Sequence, residues 1–168
     1  MADLVTHMCT GLIYKAVRAE PHVPIFVLGT VAPDLCSRVP SMALTWIGQR
    51  GVAIPPSLIH AFEPLHLPVG MLVLAALMAM LFPASSRRAV FLNFLGGMLL
   101  HLAVDLLQDH HGVGYVLGFP FLQRPFELGL VSSEASVRWV PGLLLVSLCL
   151  VVWRRRADSE QRESDDGG

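Results

Sequence analysis

Charge is scarce in this sequence. Only 15% of its 168 residues are Asp, Glu, Lys or Arg, and the formal net charge is -1. So neutral a chain carries no electrostatic footprint for nucleic acid, and nucleic-acid partners are excluded from the expectation. Cysteine is scarce as well. Cys9, Cys36 and Cys149 are widely spaced and odd in number, which implies no disulfide framework. The opening Met1-Ala2-Asp3 offers no basic segment ahead of an apolar one, so no cleavable secretory leader is expected, and no internal repeat is visible. Apolar residues fill the remaining space. They make up 54% of the chain, and the mean hydropathy of +0.59 is too high for an ordinary soluble domain. The length suits one domain, expected over residues 1–156, with 157–168 as a polar, disordered tail.

Three apolar runs predict membrane spans. The first is Leu67 to Pro83. The second, Ala89 to Gln108, is interrupted only by Asn93, His101 and Asp105. The third, Val140 to Trp153, ends before Arg154-Arg155-Arg156. A span needs about 17 to 20 residues, so the third must borrow Ser136 to Trp139, with Arg138 reaching back to the interface. Val23 to Ala32 is too short to cross and reads as a buried or re-entrant piece. The fold expected is therefore all-α: a small helical integral membrane protein with about three transmembrane helices plus N-terminal helical segments. Arg87-Arg88 and Arg154 to Arg156 fall on one side, which the positive-inside rule makes cytoplasmic. Lys15, Arg18, Arg38 and Arg50 then lie on the other.

The polar residues that interrupt this background carry the chemistry. His101 and Asp105 are four apart, so on a helix they share one face. Ionisable groups in an apolar helix are costly and mark a site by default. The pair is either a set of metal ligands or a hydrogen-bonded lock between helices. A rise of about 1.5 Å per residue puts His101 roughly 18 Å and Asp105 roughly 24 Å from the Arg88 end, towards the outer face. His60, Glu63 and His66 precede the first span at three-residue spacing, so topology brings this second cluster to the same face, although Pro64 argues for a turn there. Asp34 follows Pro33 in Ala32-Pro33-Asp34, a sequence that alone reads as a turn or cap. His7 alone reads as a surface or cap residue. Asp109, His110 and His111 read as a polar interfacial loop. Arg124, in Leu122-Gln123-Arg124-Pro125, is either an exposed loop arginine or a phosphate partner.

The order of these pieces is distinctive. It runs Thr6-His7, Gly29-Thr30-Val31-Ala32-Pro33-Asp34, His60 to His66, His101-Leu-Ala-Val-Asp105, Gly118-Phe-Pro-Phe121 and Phe126-Glu-Leu-Gly129. This succession, over roughly His7 to Leu130, resembles the bacterial membrane-bound metal-dependent hydrolases, which include the LexA-binding inner-membrane hydrolase-like proteins. The Gly-x-x-Ala-Pro-Asp and His-x-x-x-Asp pieces are also similar to motifs of zinc-dependent phospholipase C proteins. The resemblance implies a bacterial inner-membrane hydrolase with its site near the outer face. It implies His7, Asp34, His101 and Asp105 as metal ligands, with His66 as a fifth candidate. Glu63 or His60 would act as general base or orient a ligand. Imidazole and carboxylate donors suit zinc, or manganese or iron where carboxylates dominate. The substrate implied is an ester or phosphoester, lipid-linked or small, alongside membrane lipid as a partner. The alternative is a non-enzymatic membrane scaffold or regulatory protein with a structural His/Asp site. Two departures stand out. Cys36 occupies the position where the family often has a second aspartate, so it is either a soft ligand or a ligand lost. The middle histidines are commonly followed by Arg and Ser in the family, whereas Ala61 and Leu67 follow His60 and His66 here.

Overall fold

The computed structural model describes residues 4–18, 21–109 and 114–166, with side chains described outside 133–136 and 161–166. The architecture is helical. It begins with α1 (Leu4–Arg18) and α2 (Val23–Pro33), then a π-helical turn (Asp34–Arg38) that runs straight into α3 (Val39–Gln49). A short α4 (Pro56–Ile59) leads into a 3-10 helix (His60–His66), followed by α5 (Pro68–Met80) and α6 (Arg87–Leu106). The last helix is α7 (Ser133–Asp166).

Two of these helices are long and apolar enough to cross a membrane: α6, and α7 over Val137–Glu160. This supports an integral membrane location. The first predicted span is different. α5 has 13 residues, about 20 Å of helix against a hydrocarbon core of about 30 Å. It reaches membrane length only together with Pro56–His66, from which it bends by 75°. Pro64 and Pro68 account for the break, since neither has an N–H to continue a helical ladder. The third apolar run lies within α7, which continues past Trp153 to Asp166. Arg154 and Asp158, four apart, pair at 3.2 Å, and the Ser159 hydroxyl donates to the carbonyls of Arg155 and Arg156. These local contacts extend the helix past its apolar part.

Helices α2 and α6 cross at Gly29 and Gly97. A Cβ on Gly97 would stand 2.1 Å from the Phe26 carbonyl oxygen and 2.9 Å from the Thr30 nitrogen, and one on Gly29 would stand 2.3 Å from the Phe94 carbonyl oxygen. Only residues without side chains allow the two backbones to touch, as small-residue contacts do in membrane bundles. Around this crossing Ala32, Met71, Ala75, Phe94, Met98, Leu102 and Tyr115 form the buried apolar core. On the other side of α1, the Ser147 hydroxyl of α7 meets Cys9 Sγ at 3.6 Å. Elsewhere α7 turns large apolar side chains outward, among them Trp139, Leu145 and Trp153.

The chain after α6 folds back over the helix end. Leu128 N–H donates to the Leu106 carbonyl, and Leu130 and Val131 N–H donate to that of Leu107, satisfying carbonyls that a helix terminus leaves open. Two short parallel strands, β1 (Gln108–Asp109) and β2 (Val131–Ser132), close this return. Tyr115 and Phe126 exchange both backbone hydrogen bonds at 2.9 Å, which fixes Tyr115 beside the end of α6.

Candidate metal centre

The π-helical turn is the local device that builds the site. Pro33 and Pro40 bracket it, and neither can donate a backbone hydrogen bond, so the ladder widens: Val39 N–H reaches the Asp34 carbonyl five residues back. The widened turn carries Asp34, Ser37 and Arg38 towards α6. His7 comes from α1, His66 from the end of the 3-10 helix, and His101 and Asp105 from the last turns of α6.

These five candidate ligands converge in the interior. Their exposures are 0% for His7, 5% for Asp34, 4% for His66, 0% for His101 and 1% for Asp105. Asp105 is the hub. Its Oδ1 lies 3.2 Å from His7 Nε2, and its Oδ2 lies 3.0 Å from His66 Nε2 and 3.4 Å from His101 Nε2. The two imidazole nitrogens are themselves 3.2 Å apart. Asp34 Oδ1 stands 3.8 Å from His66 Nδ1 and 3.9 Å from His101 Nε2. The rings of His7 and His101 stack with centroids 3.7 Å apart.

The surrounding hydrogen bonds assign the tautomers. His101 Nδ1 lies 2.7 Å from the Thr30 carbonyl oxygen, which can only accept, so Nδ1 carries a proton and, in the neutral ring, Nε2 presents a lone pair. Ser37 donates its single hydroxyl hydrogen to the Pro33 carbonyl at 2.8 Å. It can therefore only accept from His66 Nδ1, 3.3 Å away, which leaves His66 Nε2 as the second lone pair. Both lone pairs and a carboxylate oxygen thus face one another within 3.0 to 3.4 Å. Only a proton or a cation between them relieves that repulsion. The separation is also what a tetrahedral zinc ion imposes, since ligands about 2.0–2.1 Å from the metal stand roughly 3.3 Å from each other.

Unmet hydrogen-bonding capacity points the same way. His7 Nδ1 is buried without a hydrogen-bond partner, while His7 Nε2 and Asp34 Oδ1 meet only charged neighbours, Asp105 Oδ1 at 3.2 Å and Arg38 Nε at 2.7 Å, in contacts outside hydrogen-bond geometry. Buried polar atoms are nearly always satisfied, so this unmet capacity on imidazole and carboxylate atoms fits an ion that would bind them. Burial also holds His7 below its ordinary value of 6.5, against the pull of Asp105, which keeps its imidazole neutral and able to ligate. The cluster is capable of chelating a divalent metal ion.

Three residues not singled out as site members complete the wall. Tyr115 donates from its hydroxyl to Asp105 Oδ2 at 2.6 Å and stacks on His66, with centroids 5.3 Å apart. Burial, foremost, and the neighbouring Asp105 charge raise its phenol above the usual range, so it stays a donor. Arg38 donates from Nη2 to the Tyr115 hydroxyl at 2.7 Å. Its Nε stands 2.7 Å from Asp34 Oδ1, and its Nη2 3.7 Å from Asp105 Oδ2. Ser37 is the third. Ser37 and Arg38 follow Asp34 by one helical turn, a signal legible in sequence. Nothing in the sequence marks Tyr115, ten residues beyond Asp105 across a loop.

Other candidates lie elsewhere. His60 and Glu63 pair with each other at 2.6 Å on the surface, 63% and 64% exposed, and among the described residues neither contacts the cluster. The 3-10 helix carries only its last residue, His66, into the interior. Cys36 is half-buried, with its thiol pushed up by burial, and its sulfur is not among the converging ligand atoms. Arg124 is exposed. His110 and His111 lie outside the described residues. A cavity of about 220 Å³ lined by Tyr14, Lys15, Phe26, Leu92, Asn93 and Gly96 is also separate from the cluster. Asn93 precedes Asp105 by twelve positions on α6, about 18 Å along the axis.

Comparison with protein-family models, with curated proteins and with solved structures finds no match to this chain.

Proposed function

We propose that the protein is a membrane-bound metal-dependent hydrolase acting on an ester or phosphoester. The observation that carries this reading is the trio of His66 Nε2, His101 Nε2 and Asp105 Oδ2, held within 3.0 to 3.4 Å of one another in the buried cluster. His7, Asp34, His66, His101 and Asp105 would hold a divalent ion, zinc first, with manganese or iron as the alternatives for a set containing two carboxylates. Such an ion, when bound, supplies a Lewis acid and a water of lowered pKa. Thr30 and Ser37 fix the ring orientations from behind, as partners of metal-binding histidines commonly do. Arg38 and Tyr115 hold Asp105 and Asp34 in position. His60 and Glu63 take no part in this version of the site. The order of motifs supports kinship with the bacterial membrane-bound metal-dependent hydrolases. With Arg87 and Arg88 on the cytoplasmic side, the site at the far end of α6 faces the outer leaflet of an inner membrane, where lipid-linked esters are the nearest substrates.

One observation favours a second reading. All five candidate ligands are 5% exposed or less, as expected for a structural ion, or a hydrogen-bonded lock, in a non-enzymatic scaffold. Metal analysis of the detergent-purified protein followed by a panel of ester and phosphoester substrates separates the two. Stoichiometric metal with turnover, both lost in Asp105→Asn, supports the hydrolase. Metal without turnover supports the scaffold, and absence of metal removes the enzyme reading.

A further inference from the structure

We propose that the loop joining α6 to α7 is a lipid-inserting anchor, with Phe119, Phe121 and Leu122 at its tip sunk into the acyl boundary of the leaflet at that end of α6. The proposal rests on α6 and α7 crossing the membrane and is independent of any metal.

The roots of the loop fix its level. α6 has 20 residues, about 30 Å of helix, which matches the hydrocarbon core. With Arg87 and Arg88 at one boundary, Leu106 stands at the other. The loop returns to that same boundary: Leu128 N–H donates to the Leu106 carbonyl at 2.8 Å, and β2 pairs with β1 directly before α7. The α7 span begins shortly afterwards, at Val137. Trp139 beside it is exposed, in the position of an interfacial aromatic.

The surface of the loop is apolar. Between Tyr115 and Val131 the only charged residues are Arg124 and Glu127. Phe121 is 91% exposed, Leu130 71% and Leu122 65%, and Phe119, Phe126 and Leu128 are exposed as well. Large apolar side chains gathered in this way mark a surface that another apolar phase covers. The backbone fixes their outward display. Phe121 and Leu122 N–H both donate to the Gly118 carbonyl, at 2.9 and 2.8 Å, and Phe119 N–H donates to that of Val116 at 3.2 Å. The Tyr115–Phe126 pair closes the base of this turn. Lipid is the occupant because the patch continues the exposed apolar faces of both spans, through Leu99 and Leu107 on one side and Trp139 on the other. Arg124, exposed and just behind the tip, has a stem long enough to keep its charge in the headgroup layer. The same loop carries Tyr115, whose hydroxyl donates to Asp105, so the anchor holds this wall of the cluster at the lipid surface.

The test uses the full chain in nanodiscs of phosphatidylcholine and phosphatidylglycerol, which leave both faces open to solvent. An environment-sensitive fluorophore is placed on Phe121→Cys in a C36S/C149S background, where Cys9 is buried and stays unlabelled. Leu99→Cys, on the exposed face of α6, reports the membrane interior, and Ser159→Cys, past the arginine run, reports water. The expected result is blue-shifted emission from the Phe121 label, quenched by a nitroxide high on the lipid acyl chain and shielded from iodide relative to the Ser159 label. Water-like emission with iodide quenching overturns the proposal. So does a label shielded from both quenchers, which would mean that protein covers the tip. A Leu99 label that no acyl nitroxide reaches overturns the span reading and this proposal together. Leu122→Cys repeats the measurement should Phe121→Cys fail to fold. On the unmodified chain, a lipid with a photoreactive diazirine in its acyl chain is expected to mark residues 119–122. Adducts on α6 and α7 with none at the tip overturn the anchor and leave the spans standing.

Discussion

Replacing Gly97 by alanine tests whether the α2–α6 contact builds the site. The added Cβ would begin 2.1 Å from the Phe26 carbonyl oxygen, 2.9 Å from the Thr30 nitrogen and 3.0 Å from the Gly29 carbonyl carbon. All three are backbone atoms, so no side chain can rotate away. Ordinary contact begins near 3.4 Å, and reaching it from 2.1 Å demands that the helices part by about 1.3 Å. The hydrogen bond between His101 Nδ1 and the Thr30 carbonyl, now 2.7 Å, spans this same crossing one turn further along α6. Lengthened by about 1 Å it is no longer a hydrogen bond, and the orientation of the His101 ring is released. Loss of such an outer partner typically weakens metal binding by about 10- to 100-fold. Overpacking adds destabilisation of about 1–3 kcal/mol. Zinc affinity is read by competition with a chromophoric chelator, and stability by thermal unfolding in detergent. Gly142→Ala is the control, because a Cβ there meets nothing within 4 Å. A Gly97→Ala protein with wild-type zinc affinity and an unchanged melting temperature would refute the claim that this contact positions the site.

Other expectations concern single groups. Asp105→Asn keeps the shape of the hub and removes its charge; metal analysis is expected to find substoichiometric zinc with the helical circular dichroism retained, and full occupancy would show that Asp105 is no ligand. His60→Ala and Glu63→Ala remove an exposed pair, so stability should change by no more than about 0.5 kcal/mol and zinc affinity by less than about twofold; a larger loss of metal would return these residues to the site. Burial lowers the His7 imidazole from 6.5, so the unfolded chain takes up a proton at a pH where the folded chain does not. Its contribution to stability is complete above about pH 6.5 and declines as pH falls below that value. Melting of the chelator-treated protein should therefore drop with acidification from pH 7 to 5, and His7→Asn should flatten that slope; an identical slope in the variant would show that His7 does not titrate this way.

Much of the frame was legible in residue order. The second predicted span, Ala89 to Gln108, overlaps nearly all of α6, because a mostly apolar run of twenty positions after an arginine pair leaves few alternatives to a helix. His101 and Asp105 share a face because helical periodicity dictates it. The first predicted span holds α5 and reaches membrane length together with Pro56–His66, across a 75° bend that an apolar run, reporting hydrophobicity and not the direction of the chain, does not reveal. Past Trp153 the helix α7 runs on to Asp166, where i,i+4 pairing rather than hydropathy supports it. His60 and Glu63 show the limit of spacing as a guide. They share the three-residue rhythm of His66, yet only His66 is turned inward.

The sequence by itself determined the helical class, the apolar helices and the costly polar residues within them, because hydrophobicity and periodicity are local properties of the chain. The tertiary structure decided which of those residues meet. His7, Asp34, His66 and Asp105 are far apart in the chain, and their approach depends on a glycine contact between α2 and α6, a widened turn between two prolines and a bend before α5. Tyr115 reaches Asp105 only because a pair of backbone hydrogen bonds to Phe126 pins a loop over the end of α6. Tautomers and unmet hydrogen bonds are properties of assembled neighbours, and no single segment encodes them.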